Sequence, residues 1–331
     1  MRAPHFWSAG LDPRSREAAP LLRFLLSPFA LLYGWVTARR ISKTTPTKIA
    51  APVICIGNLT AGGSGKTPIV AALRQLLSER GIDGVSLSRG YGGRLKGPTQ
   101  VNTDQHDAQD VGDEPLLLAS QGEAWIGQDK VATAQAISAG RTCVVLLDDG
   151  HQNPSLHKDL SLVVIDAQAP FGNGHVIPKG PLREPVMAGL KRASAAVLMG
   201  DGEVPAPVIA SGLPVMRARL QPASSLPEGP LIAFAGIGRP DRFFDHLRRI
   251  GGDVRDSLAF ADHHNFSASD LKRLREFAEV HEARLVTTEK DYMRLSKTDR
   301  ETVTPVKVRA VFDDESKVME LLSPLLDGMG R

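Results

Sequence analysis

A glycine-rich loop between a predicted strand and a predicted helix constrains the fold of this chain more than any other feature. The apolar residues 52–57 predict a buried strand, and the apolar periodicity of residues 66–80 predicts an amphipathic helix. The backbone N–H groups of such a loop converge on an anion beside the helix N-terminus. The loop consists of Thr60, Ala61, Gly62, Gly63, Ser64, Gly65, Lys66 and Thr67. The sequence therefore predicts a phosphate-binding P-loop.

The last two residues of the loop indicate which ligand it binds. Lys66 is placed to reach the β- and γ-phosphates of ATP, and the hydroxyl of Thr67 is placed to bind Mg²⁺. The usual pattern begins with glycine, whereas Thr60 stands first in this chain. A chance glycine-rich turn is the alternative. The strand before the loop, the helix after it and the Lys-Thr pair together favour a nucleotide site.

Apolar runs alternate with helical patterns along most of the chain. This alternation predicts an α/β fold of the P-loop NTPase type, in which helices flank a mostly parallel sheet. The further strands are predicted at residues 82–87, 142–148, 160–165, 195–198, 231–235, 285–288 and 306–308. The further helices are predicted at residues 114–121, 129–139, 240–250, 268–280 and 316–326.

The length of 331 residues exceeds one average core, and we predict three parts. Residues 1–48 are expected to form an N-terminal anchor region, and residues 49–167 the nucleotide-binding domain. Residues 168–331 are expected to form a second, smaller α/β domain that completes the active site. The proline-rich residues 204–230 are interpreted as a link between two groups of strands.

Charge and cysteine content narrow the class of protein. The net charge is only +3, which gives no strong field for a nucleic-acid partner. Cys55 and Cys143 lie in apolar runs and are expected to be buried thiols in a reducing compartment. A zinc site is not expected, because no set of cysteines and histidines has a suitable spacing.

An apolar stretch at residues 21–36 suggests contact with a membrane surface. It is shorter than the roughly 20 clean apolar residues that a spanning helix needs, and Arg23 and Pro28 interrupt it. We therefore do not expect a transmembrane span. Tyr33 and Trp35, with flanking arginines, suit a helix lying in the bilayer interface. A helix docked on its own domain fits the composition equally well.

Two groups of carboxylates and one histidine pair are candidates for chemistry. Asp148 and Asp149 end a predicted strand, where P-loop proteins hold Mg²⁺. Asp113 lies at a predicted helix start, where it could also serve as a simple cap. His263 follows a strand and could accept a proton, although adjacent loop histidines are often merely solvated. Arg183, in a Gly/Pro-rich loop, could clamp a phosphate or form a loop salt bridge.

Taken together, these segments resemble the tetraacyldisaccharide 4′-kinase family, the lipid A 4′-kinases of Gram-negative bacteria. The resemblance covers nearly the whole chain. P-loops of that family also commonly lack the first glycine. It rests on GNLTAGGSGKTP at 57–68, LSRGYG at 87–92, VGDEP at 111–115, DDG at 148–150, GPLREP at 180–185, DHH at 262–264 and TTEKD at 287–291.

The resemblance implies a reaction and a place. The γ-phosphate of ATP would move to the 4′-hydroxyl of a tetraacyldisaccharide 1-phosphate, a lipid A precursor. The N-terminal helix would rest on the cytoplasmic face of the inner membrane as a peripheral, monotopic anchor. Neither a nucleic acid nor a protein partner is implied.

The resemblance also implies roles for residues. Asp148 and Asp149 would serve the metal and position the substrate. Asp113, paired with His263 across two domains, would take the proton of the sugar hydroxyl. Arg183 and Glu184 would line the transfer site, and Lys66 and Thr67 would bind nucleotide phosphate and Mg²⁺ as already predicted.

The match departs from the family pattern in two places. The family usually continues Asp-Asp-Gly with Phe-Gln-His, whereas this chain has His151, Gln152 and Asn153. Lys130 stands where an arginine is expected, so the charge is kept without the bidentate geometry. Two other classes remain open: a membrane-associated partitioning ATPase and a nucleotide-binding scaffold. The ATPases usually place a lysine before the paired glycines, where this chain has Ala61.

Overall fold

The computed structural model describes residues 4–8, 10, 12 and 15–330. Its strands are β1 (Val53–Gly57), β2 (Gly84–Ser88), β3 (Thr99–Gln100), β4 (Ala124–Ile126), β5 (Val144–Asp148), β6 (Leu160–Asp166), β7 (Ala195–Met199), β8 (Val215–Pro222), β9 (Pro230–Ala235), β10 (Asp253–Ala259), β11 (Arg284–Thr288), β12 (Val303–Val306) and β13 (Val308–Phe312). Its α-helices are α1 (Pro20–Lys43), α2 (Lys66–Ser78), α3 (Ala108–Val111), α4 (Asp113–Ala119), α5 (Lys130–Ser138), α6 (Val186–Leu190), α7 (Ala206–Ser211), α8 (Pro240–Arg249), α9 (Ala268–Val280), α10 (Glu289–Tyr292), α11 (Lys297–Arg300) and α12 (Glu315–Leu326).

The larger sheet has nine strands in the order β13-β8-β7-β6-β1-β5-β2-β4-β3. Strand β1 lies at its centre and runs parallel to both neighbours, β5 and β6. Only the two edge strands, β13 and β3, run antiparallel to their neighbours. The central strands are buried on both faces, which explains their continuous apolar sequences. The predicted α/β class with a mostly parallel sheet is confirmed.

A smaller sheet of four parallel strands, in the order β10-β9-β11-β12, forms a second unit. Its central strand β9 alternates between two apolar clusters, as a two-residue period requires. Leu231 and Ala233 pack in the cluster that contains Phe244 of α8. Ile232 belongs to the cluster that contains Leu271 of α9. Two helices on opposite faces therefore bury both sides of this sheet.

The predicted boundary after residue 167 falls inside the larger sheet. Strands β7 and β8 extend that sheet beyond β6, and β13 returns to it near the end of the chain. The proline-rich residues 204–230, interpreted as a link, contain helix α7 and strand β8. The local sequence gives no sign of this arrangement, because β8 joins the sheet by pairing with β7 and with the distant β13.

Two strands of the second half also differ from prediction. Residues 306–308, predicted as one strand, lie where β12 ends and β13 begins. The chain therefore leaves the small sheet and enters the large one within a single residue, Lys307. Strand β10 was not predicted, because its residues Asp253–Ala259 are polar and largely exposed at the edge of the sheet. Cys55 and Cys143 are both buried and unpaired, as predicted.

Helix α1 is docked along one face and exposed along the other. Its partly or fully buried positions comprise Arg23, Leu26, Ser27, Ala30, Gly34, Thr37 and Ile41, most of them spaced by three or four residues. Its exposed apolar side chains are Leu21, Leu22, Phe24, Leu25, Phe29, Leu31, Leu32, Trp35 and Val36. By length and composition alone, α1 is apolar enough to cross a membrane. Ala30 and Thr37 are its fully buried residues, so α1 lies on the surface of the protein and contacts it along one face.

A buried histidine replaces the phenylalanine expected after Gly150. The Nε2 atom of His151 donates to the carbonyl of Gly189 at 3.0 Å, and its Nδ1 lies 2.9 Å from the hydroxyl of Ser161. Because a carbonyl can only accept, Nδ1 must accept from Ser161. Burial, reinforced by the charge of Arg192, lowers the pKa of His151 to about 4.

We expect His151 to make stability fall as the medium is acidified. The unfolded chain binds the histidine proton near pH 6.5 and the folded chain near pH 4, so the free energy of unfolding decreases as pH drops through this window. Between pH 7 and pH 5 this contribution should be about 2 kcal/mol. Urea unfolding at several pH values should show a flatter pH dependence for His151→Phe. The variant His157→Phe, at a side chain that is 41% exposed, serves as the control. Equal slopes for wild type and His151→Phe would contradict the expectation.

Candidate active site

Hydrogen bonds hold the P-loop in place from within and from a neighbouring segment. The Nδ2 atom of Asn58 donates to two carbonyls of the loop at 2.8 and 3.4 Å. The backbone N–H of Ala61 donates to the carbonyl of Pro181 at 2.7 Å. Gly65, directly before α2, has a φ of +85°, a conformation that favours glycine. Helix α2 begins at Lys66, so the predicted order of strand, loop and helix is confirmed.

Two cationic side chains meet one carboxylate beside this loop. The Nη1 atom of Arg183 lies 2.8 Å from Oδ1 of Asp149, and Nζ of Lys66 lies 3.6 Å from the same oxygen. Burial alone would raise the pKa of Asp149, but the charges of Lys66 and Arg183 lower it below its usual range. Asp149 also has a φ of +56°, a strained conformation often found at functional sites. The arrangement therefore brings three predicted site residues together.

Asp148 is a buried carboxylate at the end of β5. It pairs in register with Ile56 of β1, the strand that leads into the P-loop. Its Oδ2 atom is 3.5 Å from the hydroxyl of Ser88, and its Oδ1 atom has no hydrogen-bond partner among the described residues. Burial, together with the charge of Glu114, raises the pKa of Asp148 to about 7.

The residues beside the P-loop fit a magnesium ion. A buried carboxylate oxygen without a partner is costly, and a cation would compensate it. Mg²⁺ binds through one or two carboxylates, a hydroxyl and substrate phosphates rather than through an all-protein cage. Asp148 and the hydroxyl of Thr67 supply such oxygen ligands. No group of three or more His, Cys, Asp or Glu side chains that could hold a metal ion by itself is found in the described part of the chain.

A second cluster joins the two sheets. Asp113 begins helix α4 of the large unit, and Nδ1 of His263 from the small unit lies 3.2 Å from its Oδ2. Lys290 lies 3.8 Å from the same oxygen, and Arg294 also forms an ion pair with it. The predicted pairing of Asp113 with His263 is therefore present in the fold. The backbone N–H of His263 donates to the carbonyl of Gly236 at 3.0 Å.

The charges of this cluster keep Asp113 ionised and so determine how His263 binds it. Burial tends to raise the pKa of Asp113, but the hydrogen bond to His263 and the charges of Lys290 and Arg294 lower it well below its usual range. Because the ionised carboxylate can only accept, Nδ1 of His263 donates to it. In the neutral ring Nε2 is then free of a proton and is an acceptor. Asp113 thus holds the imidazole ring of His263 through its Nδ1 atom.

Comparison with known proteins decides the family. The family model for tetraacyldisaccharide-1-P 4′-kinase matches residues 22–327. The chain is 54% identical over its full length to the tetraacyldisaccharide 4′-kinase of Hyphomonas neptunium, and all of that protein is covered. It is 46% identical to the enzyme of the same name from Maricaulis maris, covering 99% of this chain and 97% of that one. This chain belongs to the tetraacyldisaccharide-1-P 4′-kinase family. It is an ATP-dependent kinase of lipid A biosynthesis.

A solved member of the family has the same fold. The structure of LpxK from Aquifex aeolicus, in complex with ATP, superimposes with a TM-score of 0.74 at 26% sequence identity. The match covers 92% of this chain and 99% of the other.

The P-loop and the cluster that joins the two sheets (Asp113, His263, Lys290 and Arg294) lie beside one cleft, with a volume of about 2550 Å³. We call these four residues the joining cluster. Its lining includes the P-loop, Asp148, Asp149, Arg183 and His263. Tyr33, Thr37 and Arg40 of helix α1 also line it, so the N-terminal helix reaches the same space. The volume exceeds the usual range of about 300–1,000 Å³ for a single small ligand. The cleft is large enough for a nucleotide and a second substrate.

Glu184 does not line this cleft within the described residues, contrary to the role that the resemblance implied. Its carboxylate is buried and accepts from Gln152 at 3.0 Å and from Arg192 at 2.8 Å. The neighbouring Arg183 faces the cleft instead. Arg183 and Glu184 lie in a bend before α6, and their side chains have different surroundings. Glu184 therefore supports the loop from inside the protein.

Lys130 and Asn153, which depart from the family pattern, differ in their hydrogen bonding. The buried Nζ atom of Lys130 has no hydrogen-bond partner in the described structure, and Lys130 lines the cleft. Burial lowers its pKa to about 8, although the nearby charge of Asp148 raises it. Asn153 lines the cleft as well, but its Oδ1 atom accepts from the backbone N–H and the hydroxyl of Ser155. Lys130 is therefore the departure with a free polar group.

Sequence reasoning missed two residues of the joining cluster. In the segment of residues 287–291, Thr288 caps α10 by accepting from the N–H of Asp291 at 3.0 Å. That segment also supplies Lys290, and Arg294 follows one turn later. The sequence shows that Lys290 and Arg294 are four residues apart, but no local sequence pattern indicates that both contact Asp113.

We expect Asp148→Asn to stabilise the protein in the absence of Mg²⁺ and nucleotide. Because the folded pKa near 7 exceeds the unfolded value of 3.8, the folded state binds the proton more tightly, and the buried charge destabilises it fully above pH 7. At pH 8 the gain in the free energy of unfolding should be up to about 4 kcal/mol, measured by urea unfolding. Asp149→Asn is a matched control with the opposite expectation, since the pKa of Asp149 is lowered. A loss of stability in Asp148→Asn would contradict the assignment of a strained, uncompensated carboxylate.

Proposed function

We propose that this kinase transfers the γ-phosphate of ATP to the 4′-hydroxyl of a tetraacyldisaccharide 1-phosphate. One observation carries the proposal: the P-loop and His263 line the same cleft. The ionised Asp113 is the partner of that histidine. A kinase needs a phosphate cradle and a group that receives the proton of the acceptor within reach of one another. A nucleotide scaffold would not need the second group.

Phosphoryl transfer depends mainly on positioning and on neutralising charge. The P-loop N–H groups and Lys66 would hold the β- and γ-phosphates, while Arg183 would contact the transferred group. Both cations now share Asp149, so an incoming phosphate would replace a carboxylate that they already bind. Thr67 and Asp148 would hold Mg²⁺, which neutralises charge on the bound phosphates.

The acceptor hydroxyl would lose its proton to Nε2 of His263. Asp113 keeps the ring in the required tautomer, and Arg294 and Lys290 keep that carboxylate ionised. These residues come from both sheets, so the second unit completes the site. Water would be excluded when both substrates fill the cleft.

Helix α1 would bring the lipid acceptor to this cleft from a membrane. Its partly buried face contacts the body of the protein, while its apolar exposed face suits the bilayer interface. Tyr33 and Thr37 at its far end line the cleft, which gives a path from the lipid to the P-loop. Since ATP is a cytoplasmic substrate, we propose a monotopic position on the cytoplasmic face of the inner membrane.

We expect Asp113→Ala and His263→Ala each to lower kcat by about 10²- to 10⁴-fold, because proton transfer loses its acceptor or its orientation. Transfer of labelled phosphate from ATP to the purified lipid acceptor measures this. His264→Ala is a matched control, since His264 pairs with Asp270 at 3.0 Å but does not line the cleft within the described residues. Near-normal turnover in both Asp113→Ala and His263→Ala, with intact folding, would exclude the pair as the proton acceptor.

The same assay separates the proposed kinase from the two alternative classes. A partitioning ATPase would release phosphate to water without labelling the lipid. A scaffold would bind ATP without releasing or transferring phosphate.

We expect the double variant Phe24→Glu/Leu31→Glu to lose membrane affinity. Both side chains are 75% exposed and lie on the undocked face of α1. Removing this apolar area should reduce co-sedimentation with anionic phospholipid vesicles by about tenfold or more. Val280→Glu, at a side chain 79% exposed on α9, is the control for adding acidic charge elsewhere. Unchanged vesicle binding of the double variant would exclude α1 as the membrane contact.

A further inference from the structure

An ion cluster centred on Asp166 forms a second contact between the two sheets. Asp166 is the last residue of β6 in the large sheet. Its Oδ2 atom lies 2.5 Å from Nη1 of Arg239 and 2.6 Å from Nη1 of Arg242, both from the small unit. The Asp166 side chain is only 10% exposed, and its Oδ1 atom accepts from the backbone N–H of Gln168 at 3.0 Å. Asp166 therefore has an ionic partner in each arginine and a hydrogen-bond donor in the backbone N–H of Gln168.

On one side, this cluster is anchored beside the P-loop. Strand β6 pairs with β1, which leads into the loop, and with β7. Asp166 is the register partner of Met199 on β7. The side chain of Met199 packs so closely on Gly65 of the P-loop that a Cβ atom there would meet it at 3.1 Å. Asp166 therefore has a fixed position relative to the phosphate-binding loop.

On the other side, the cluster is one short loop away from His263. Residues 236–239 connect β9 to α8, and Arg239 ends this loop. Gly236, at its beginning, accepts from the backbone N–H of His263 at 3.0 Å and from Arg294 at 2.8 Å. A Cβ atom at Gly238 would lie 3.5 Å from the carboxylate of Asp262, the residue next to His263. Movement of the 236–239 loop would therefore move the histidine.

We infer that Asp166 is a positioning residue for the transfer reaction. It binds Arg239 and Arg242, fixes the 236–239 loop, and so holds His263 at the correct distance from the P-loop. The inference rests on the proposed role of His263 as proton acceptor. It extends that role by adding a second contact, besides the one with Asp113, that keeps the acceptor in register with the phosphate. A displacement of about 1 Å in such a geometry can cost 10²-fold in rate.

The test is steady-state transfer of labelled phosphate by Asp166→Asn and by Arg239→Gln/Arg242→Gln. We expect kcat to fall about 10- to 100-fold in each, with the KM for ATP changed less than about threefold. Asp166→Glu, which keeps the charge, should recover part of the loss. Thermal unfolding monitors folding. The arginine variants remain informative if Asp166→Asn is unstable, because Arg239 and Arg242 are 47% and 42% exposed.

A second comparison distinguishes positioning of His263 from general support of the fold. In a His263→Ala background, Asp166→Asn should cause little further loss of kcat, because the group it positions is absent. Arg248→Gln is the matched control on α8, since Arg248 pairs only loosely with Asp245 at 3.5 Å and lies outside the cleft lining in the described structure. That variant should retain the wild-type kcat.

Three results would overturn the inference. A raised KM for ATP with unchanged kcat would mean that Arg239 and Arg242 bind the nucleotide itself. An equal loss of kcat in the wild-type and His263→Ala backgrounds would mean a purely structural role. Unchanged kinetics in all these variants would mean no role. If wild-type protein labels no lipid, the proposed function fails; if it labels the lipid and the variants have wild-type kinetics, only the positioning role fails.

Discussion

The ion pair between Asp113 and the groups of the small sheet is the interaction on which the site depends. Asp113 is buried in the large unit, yet its partners His263, Lys290 and Arg294 all come from the small unit. A buried carboxylate without partners would be strongly destabilising, so this contact holds the units together as well as orienting the histidine. The same atoms therefore serve assembly of the fold and chemistry.

The electrostatics of the cleft suit a ligand that is both anionic and metal-bound. Lys66 and Arg183 are compensated by Asp149, which a phosphate can replace. Asp148 lacks a compensating contact at one oxygen within the described structure, and its raised pKa reflects that lack. Protein dipoles and charges arranged before the ligand arrives lower the cost of reorganisation during transfer. The charges of the site are thus complementary to ATP and Mg²⁺.

Polar side chains are buried near this site where each has hydrogen-bond partners. His151 occupies a buried position where the resemblance led us to expect phenylalanine, and both of its ring nitrogens have partners. Glu184 is likewise buried with two donors. Such groups are stable only while their partners remain, which makes the loop between β6 and α6 sensitive to changes on either side.

The sequence by itself determined the P-loop, the buried parallel strands and the pairing candidates, because these follow from local periodicity and from residue types with few alternative uses. Only the tertiary structure decided that β8 and β13 extend the large sheet, that Arg294 and Lys290 complete the Asp113 cluster, and that Glu184 faces inward. It also decided which face of α1 is docked. The physical reason is that these features depend on contacts between residues far apart in the chain, whose energies no local pattern encodes.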